Sequence, residues 1–341
     1  MVKKTKTHLP YADGIRVAAI FAVVAYHAFS TGVFGPDHLV GLSWWASNII
    51  YCCFSWCVPM FIMLSGALLL DPDRDEGFSE FYSKRISRIG IPLVFWTVFY
   101  LVWSVYFLKQ GMSPQLMIAR ILRGDSHYHL HFLFLILGLY MFTPMFRVFT
   151  REAKSKEVAT IGLLFLAFSA GDWFYTNYVA EISSLNAFNR FFPYIGYYLM
   201  GYVLSQTKIS TGYISAAALT AAVCILFIAI GTGFSFEEGL PLAVSTATSP
   251  VVMVLSISMF ILFRALFTEF PFEKVTTALA PLTLGIYLVH IAVMDVIRKV
   301  NVNAYDAHPL PAMASFAISG FVISTAACIV IRKILFLRRV I

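Results

Sequence analysis

Apolar residues along this chain gather into long blocks separated by short polar stretches. Ten blocks are long enough to cross, or nearly cross, a bilayer: 14–34, 46–70, 89–108, 131–148, 158–175, 191–206, 213–232, 248–267, 281–299 and 312–332. The fifth and sixth are short, and a polar stretch rich in Asn and Ser joins them. The pattern predicts an all-α polytopic membrane protein with about ten transmembrane helices. The polar stretch from Lys109 to Tyr128 contains Met117, Ile118, Arg120, Ile121, Leu122 and Arg123. Their mixture of apolar and basic residues predicts a short helix lying in the membrane interface. There are no heptads, tandem repeats or low-complexity tracts, and no inverted repeat is visible.

Composition agrees. Of 341 residues, 59% are hydrophobic and 13% charged, against about 25% charged in soluble domains. Spans consume most of the chain, so residues 1–341 are expected to form a single transmembrane domain without a second soluble one. The net charge of +7 does not point to nucleic acid, because basic residues of a membrane protein collect on the cytoplasmic side. With ten spans and a cytoplasmic N-terminus, 19 of the 25 Lys and Arg fall inside and 6 outside. That asymmetry predicts that the N- and C-termini are both cytoplasmic, in a cell inner membrane or plasma membrane. Lys3, Lys4 and Lys6 precede the first block like the basic start of a signal peptide. The many later blocks favour a retained first helix. Cys52, Cys53, Cys57, Cys224 and Cys328 lack zinc-site spacing and read as small buried hydrophobes.

Candidate chemistry begins in the first block. Arg16 and His27 are eleven residues apart, roughly three helical turns, so they share one helix face about 16 Å apart. Polar groups at membrane depth are costly and functional by default. His27 could act as a general base or an acyl-accepting nucleophile, since imidazole titrates near operating pH; the alternative is a structural hydrogen bond to a neighbouring helix. Asp13, three residues before Arg16, can cap the helix and hold the guanidinium. Lys84, Arg85 and Arg88 precede the third block. Arg85 and Arg88, one helical turn apart, could clamp a phosphate or diphosphate, or serve only as a topology signal and an attraction for anionic lipid. Pro92 is expected to kink that helix. His127, His129 and His131 alternate near the start of the fourth block. Residues two apart do not face each other on a helix, and no acidic or Cys partner completes a metal set, so no metal is expected. His129 and His131 fit an outer binding pocket better. His290 in the ninth block is either structural or part of a substrate site. Ser65 and Gly66 allow close helix approach; no elbow or base supports a serine nucleophile.

Together these phrases resemble the integral-membrane acyltransferase 3 family, whose hallmark is Arg, ten residues, then His in the first helix: here Arg16 and His27, within Asp13-Gly14-Ile15-Arg16. Phe61 to Gly66, Phe81 to Arg88 followed by Pro92, His129 to Phe132 with Tyr140 and Pro144, and Gly285 to His290 are similar to family phrases in the same order. The likeness spans about residues 10 to 335. It is strongest to the subgroup that includes the enterobacterial common antigen O-acetyltransferase, although His131 stands where that subgroup often has Trp. Unlike in some members, no fused hydrolase-like C-terminal domain is expected. The resemblance implies acyl transfer, usually of acetyl from acetyl-CoA, to a hydroxyl of a cell-envelope glycan or lipid-linked oligosaccharide. Lys84, Arg85 and Arg88 would then bind the donor phosphates, His27 with Arg16 and Asp13 would serve catalysis, and His129, His131 and His290 would bind acceptor. A polysaccharide or lipid exporter without acyl transfer fits the same helices and basic loops, though intramembrane carboxylates for ion coupling are scarce. Acyl-CoA binding separates the two.

Overall fold

The computed structural model describes residues 9, 11–35, 39–74, 76–180, 185–239, 243–269, 272–300 and 309–341. Lys3, Lys4 and Lys6 lie outside them. Among the described residues there is no strand. The α-helices are α1 (Tyr11–Phe34), α2 (Gly41–Cys53), α3 (Cys57–Leu69), α4 (Phe78–Arg85), α5 (Ile91–Tyr106), α6 (Pro114–Arg123), α7 (His131–Glu152), α8 (Ser155–Tyr178), α9 (Ile195–Gln206), α10 (Thr211–Glu237), α11 (Pro250–Glu269), α12 (Glu273–Leu279), α13 (Thr283–Val300) and α14 (Pro309–Lys333).

Nine helical stretches among the described residues are long and apolar enough to span, with α2 and α3, α4 and α5, and α12 and α13 each counting as one. The block 191–206 is the one that differs. It forms α9, 12 residues long after a short 3-10 turn, and a helix of that length rises only about 18 Å. Ile195 to Val203 are all buried, so its apolar character serves packing as well as any membrane depth. The short helix expected between Lys109 and Tyr128 is present as α6. Ser113 caps it by accepting from Leu116 N at 3.2 Å, and Gly124 closes it at φ 70°.

Exposed apolar rows mark surfaces that only lipid would cover. On α10 they are Leu219, Val223, Leu226 and Ile230; on α5, Val94, Val98 and Val102. Each row follows helical spacing, and a water-soluble monomer does not leave such rows bare. The chain is a multi-pass membrane protein.

Residue contacts divide the chain into two compact units: Met1–Ser65 with Leu204–Val330, and Gly66–Val203 with Ile331–Ile341. In the first, α1 is central. It packs on α2, α11, α12 and α13, while α10 packs on α2 and α11. Asn48 ties α2 to α10 by donating to the Ala229 carbonyl at 2.8 Å. The expected block 46–70 is broken at Phe54–Trp56. Pro59 explains the position of the break: lacking an N–H, it is tolerated in the first turn of α3 and not in the middle of one long helix. Trp56 Nε1 donates to the Cys53 carbonyl at 2.6 Å, satisfying one acceptor that the break exposes.

In the second unit, α4 runs into α5 through a π turn, Ile86–Gly90. Ile91 N bonds the Ile86 carbonyl, five residues back. Pro92 supplies the reason. Its ring would meet the carbonyl four residues earlier, and a widened turn removes that clash. The expected kink is therefore a π turn. Gly66 is the close-approach position its sequence suggested: a Cβ there would fall on the Tyr198 carbonyl oxygen. Backbone cannot swing aside as a flexible side chain can, so Gly66→Ala should destabilise by about 1–3 kcal/mol. A thermal melt of the detergent-solubilised variant would check this, and an unchanged midpoint would contradict the close packing.

Candidate active site

The first unit holds one cluster of chemically capable residues and the second holds two. The first is built on α1 and α13. At one end of α1, Arg16 Nη1 donates to Asp13 Oδ1 at 2.7 Å, with both side chains half-buried. Asp13 lies in the first turn, where the helix dipole favours its charge. Eleven residues on, the imidazole of His27 stacks on that of His290, ring centroids 5.4 Å apart and planes 29° apart. The sequence put both histidines at membrane depth but did not pair them. His290 is fully buried, and its Nδ1 lies 2.6 Å from the Tyr287 carbonyl oxygen. A carbonyl only accepts, so Nδ1 carries the proton and a neutral His290 keeps its lone pair at Nε2. Beside His27, the hydroxyls of Tyr26 and Tyr51 lie 2.6 Å apart, and that of Tyr51 is 3.2 Å from Ser245 Oγ. This array of imidazoles and hydroxyls can move a proton, orient a hydroxyl, or present a nucleophilic nitrogen.

The second unit holds two groups. The first centres on Glu76, which the sequence reading had not singled out. Its side chain is 4% exposed. Arg74 Nε lies 3.3 Å from its carboxylate, Lys84 Nζ 3.0 Å, Arg85 Nη1 3.5 Å and Arg147 Nη2 3.4 Å. Burial opposes the charge on Glu76, but the Lys84 hydrogen bond and the positive Arg85, Arg74 and Lys84 overcome it and hold the carboxyl down at about 2, from 4.5. The surrounding cations are themselves fixed. Arg147 Nε donates to the Leu69 carbonyl at 2.6 Å, Arg74 to that of Leu68 at 2.8 Å, and Thr150 to that of Leu70 at 2.9 Å. These are acceptors at the C-terminal end of α3, where cations are favoured. Arg85 lies over the Phe81 ring at 4.4 Å and Arg147 over the same ring at 4.6 Å. Lys84 also pairs with Glu80.

Arg85 and Arg88, expected on one face, have different surroundings. Arg85 turns to Glu76, Phe81 and Tyr140. Arg88 sits in the π turn and lines a cleft with Arg338 and Arg339. A π turn advances fewer degrees per residue than an α turn, which swings positions three apart away from each other.

The other group in this unit is the histidine run. His127 Nδ1 and His129 Nδ1 are 3.1 Å apart, both rings buried, and Tyr100 packs on both at 4.6 and 4.7 Å. One nitrogen must donate and the other accept, so at least one ring is neutral. Burial, with help from Arg120, pushes His127 down to about 4, which makes it neutral at pH 7. His131 Nδ1 donates to the Tyr128 carbonyl at 2.6 Å. The structure thus pairs His129 with His127 and turns His131 to backbone. Among the described residues, no three His, Cys, Asp or Glu gather closely enough to hold a metal ion.

The family model described as an acyltransferase domain, acyltransferase 3, matches residues 9–333. The chain belongs to this acyltransferase family. The match is at the level of the family, and it supports no particular subgroup within it. It runs across both units, including Asp13, Arg16, His27, the Glu76 group and His290. No curated protein and no solved structure matches the chain.

Glu76 and Arg147 were missed for understandable reasons. Glu76 lies in a charged connection, Asp71 to Gly77, that reads as solvated loop. Arg147 begins a basic run with Arg151, Lys154 and Lys156 that reads as topology. One signal was available: Arg147 follows Pro144 within an apolar block, a depth at which a cation needs a partner.

Proposed function

We propose that this acyltransferase is an O-acetyltransferase, moving acetyl from acetyl-CoA to a hydroxyl of a cell-envelope glycan or lipid-linked oligosaccharide. The observation that carries this reading is the stacked His27–His290 pair in a chain of this family. His27 is the base that takes the acceptor proton, or the nitrogen that first takes the acyl group. His290, its Nδ1 fixed by the Tyr287 carbonyl, positions it. Arg16, held by Asp13, supplies positive charge on the same helix. Lys84, Arg85 and Arg88 bind the donor's phosphates, and guanidiniums suit phosphate through forked hydrogen bonds. His129 and His131 bind the acceptor. The charge asymmetry of the sequence puts both termini in the cytoplasm of an inner or plasma membrane, with α9 making the tenth crossing. The whole chain then works as one transmembrane domain, as the extent of the family match favours.

The donor is tested without knowing the acceptor. A ligand that binds only the folded state raises its apparent stability. Acetyl-CoA should raise the melting temperature of the purified protein, and Arg85→Ala/Arg88→Ala should lose the rise. No rise in well-folded wild type would turn the reading toward another donor or an exporter.

A further inference from the structure

A second basic feature stands apart from the Glu76 group. The 3-10 turn Leu337–Arg339 follows α14, and the last residues return to α5. Trp96 Nε1 donates to the Val340 carbonyl at 2.7 Å, with both residues buried. This bond pins the segment so that Arg338, Arg339 and Ile341 face Ser87, Arg88 and Ile91 across an open cleft of about 420 Å³. Three guanidiniums line it from two segments far apart in sequence.

Their neighbours make the contrast. Lys84 and Arg85, on the same helical stretch, both pair with the Glu76 carboxylate. Among the described residues, no Asp or Glu pairs with Arg88, Arg338 or Arg339. The buried indole bond thus brings three solvent-exposed guanidiniums to one open cleft, a concentration of positive charge that attracts anions. Forked N–H donors match phosphate oxygens, the Ser87 hydroxyl adds one more donor, and Ile91 and Ile341 offer an apolar wall.

We propose that Arg88, Arg338 and Arg339 form a binding site for a phosphorylated head group, assembled by the Trp96–Val340 bond. A phosphate of this kind reaches the cleft either on an anionic membrane lipid or on a soluble phosphorylated ligand. The site shares Arg88 with the donor reading above, but it requires binding and no chemistry, so its own test decides it.

The test uses the purified full chain in neutral detergent. Melting temperature is titrated with coenzyme A in one arm and with short-chain phosphatidylglycerol in the other. At least one probe should stabilise wild type saturably. Arg338→Ala/Arg339→Ala should raise the half-saturating concentration of that probe at least tenfold. Trp96→Phe, which keeps the ring and all three charges but loses the indole donor, should raise it several-fold. Response to phosphatidylglycerol alone assigns a lipid source, response to coenzyme A alone a soluble one, and response to both the shared chemistry. No saturable response, or the same half-saturation in the double variant, overturns the site. An unchanged value in Trp96→Phe overturns its assembly by the pinned segment. Loss of coenzyme A binding in Arg85→Ala/Arg88→Ala but not in Arg338→Ala/Arg339→Ala would leave the donor reading standing and remove coenzyme A from this cleft.

Discussion

His27→Ala should lower acetyl transfer by on the order of a thousandfold, while the protein still inserts and folds. His27 is half-buried on α1 and stacks on His290, so its imidazole is placed for chemistry and is not one of the large side chains filling the core. His27→Gln keeps most of the side-chain volume and should be equally inactive. This separates lost chemistry from lost packing. His290→Asn should act more weakly, by about tenfold, because it positions His27 and is not the group that transfers the proton. It should also shift the pH dependence of the rate, an effect that a purely structural residue would not have. A His27→Gln variant with more than a tenth of wild-type activity would contradict the assignment.

Glu76→Gln should cost stability on the order of 3 kcal/mol, because it leaves several cations around a covered site without their counter-charge. The side chain keeps its shape, so the loss reports charge and not volume. The pH profile carries the same information. The carboxyl of Glu76 is held at about 2 in the folded protein, from 4.5. A depressed acid pKa stabilises the fold above its unfolded value, and the contribution fades as pH falls through the folded value. Wild type should therefore lose stability progressively between about pH 4.5 and 2. Glu76→Gln should lack that component of the acid transition. Melts of both proteins across this window would show it, and parallel profiles would mean that the carboxylate contributes nothing.

The spans were legible because bilayer thickness sets a minimum length for an apolar helix. Blocks such as 213–232 and 312–332 recur as α10 and α14, each somewhat longer at its ends. The block 191–206 became the 12-residue α9, because apolar composition alone does not set where a helix begins or whether it is covered by protein or by lipid. The π turn was hidden because sequence reveals Pro92 but not how the preceding turn yields to it. In the candidate site, Asp13, Arg16 and His27 were readable from spacing along one helix. The partnership of His27 with His290 was not, since it is a tertiary contact between distant helices that no local period encodes. The Glu76 group needed the same kind of information: α3, α4 and α7 each contribute, and each cation alone reads as a topology signal.

The most direct test of the central claim is transfer from labelled acetyl-CoA in inverted and right-side-out membrane vesicles containing wild type or His27→Ala. Acetyl-CoA does not cross the bilayer. The account predicts label in the glycan or lipid-linked oligosaccharide fraction of inverted wild-type vesicles, and none with His27→Ala or in right-side-out vesicles. Equal labelling with His27→Ala, or no labelling in either orientation with folded wild type, would contradict it.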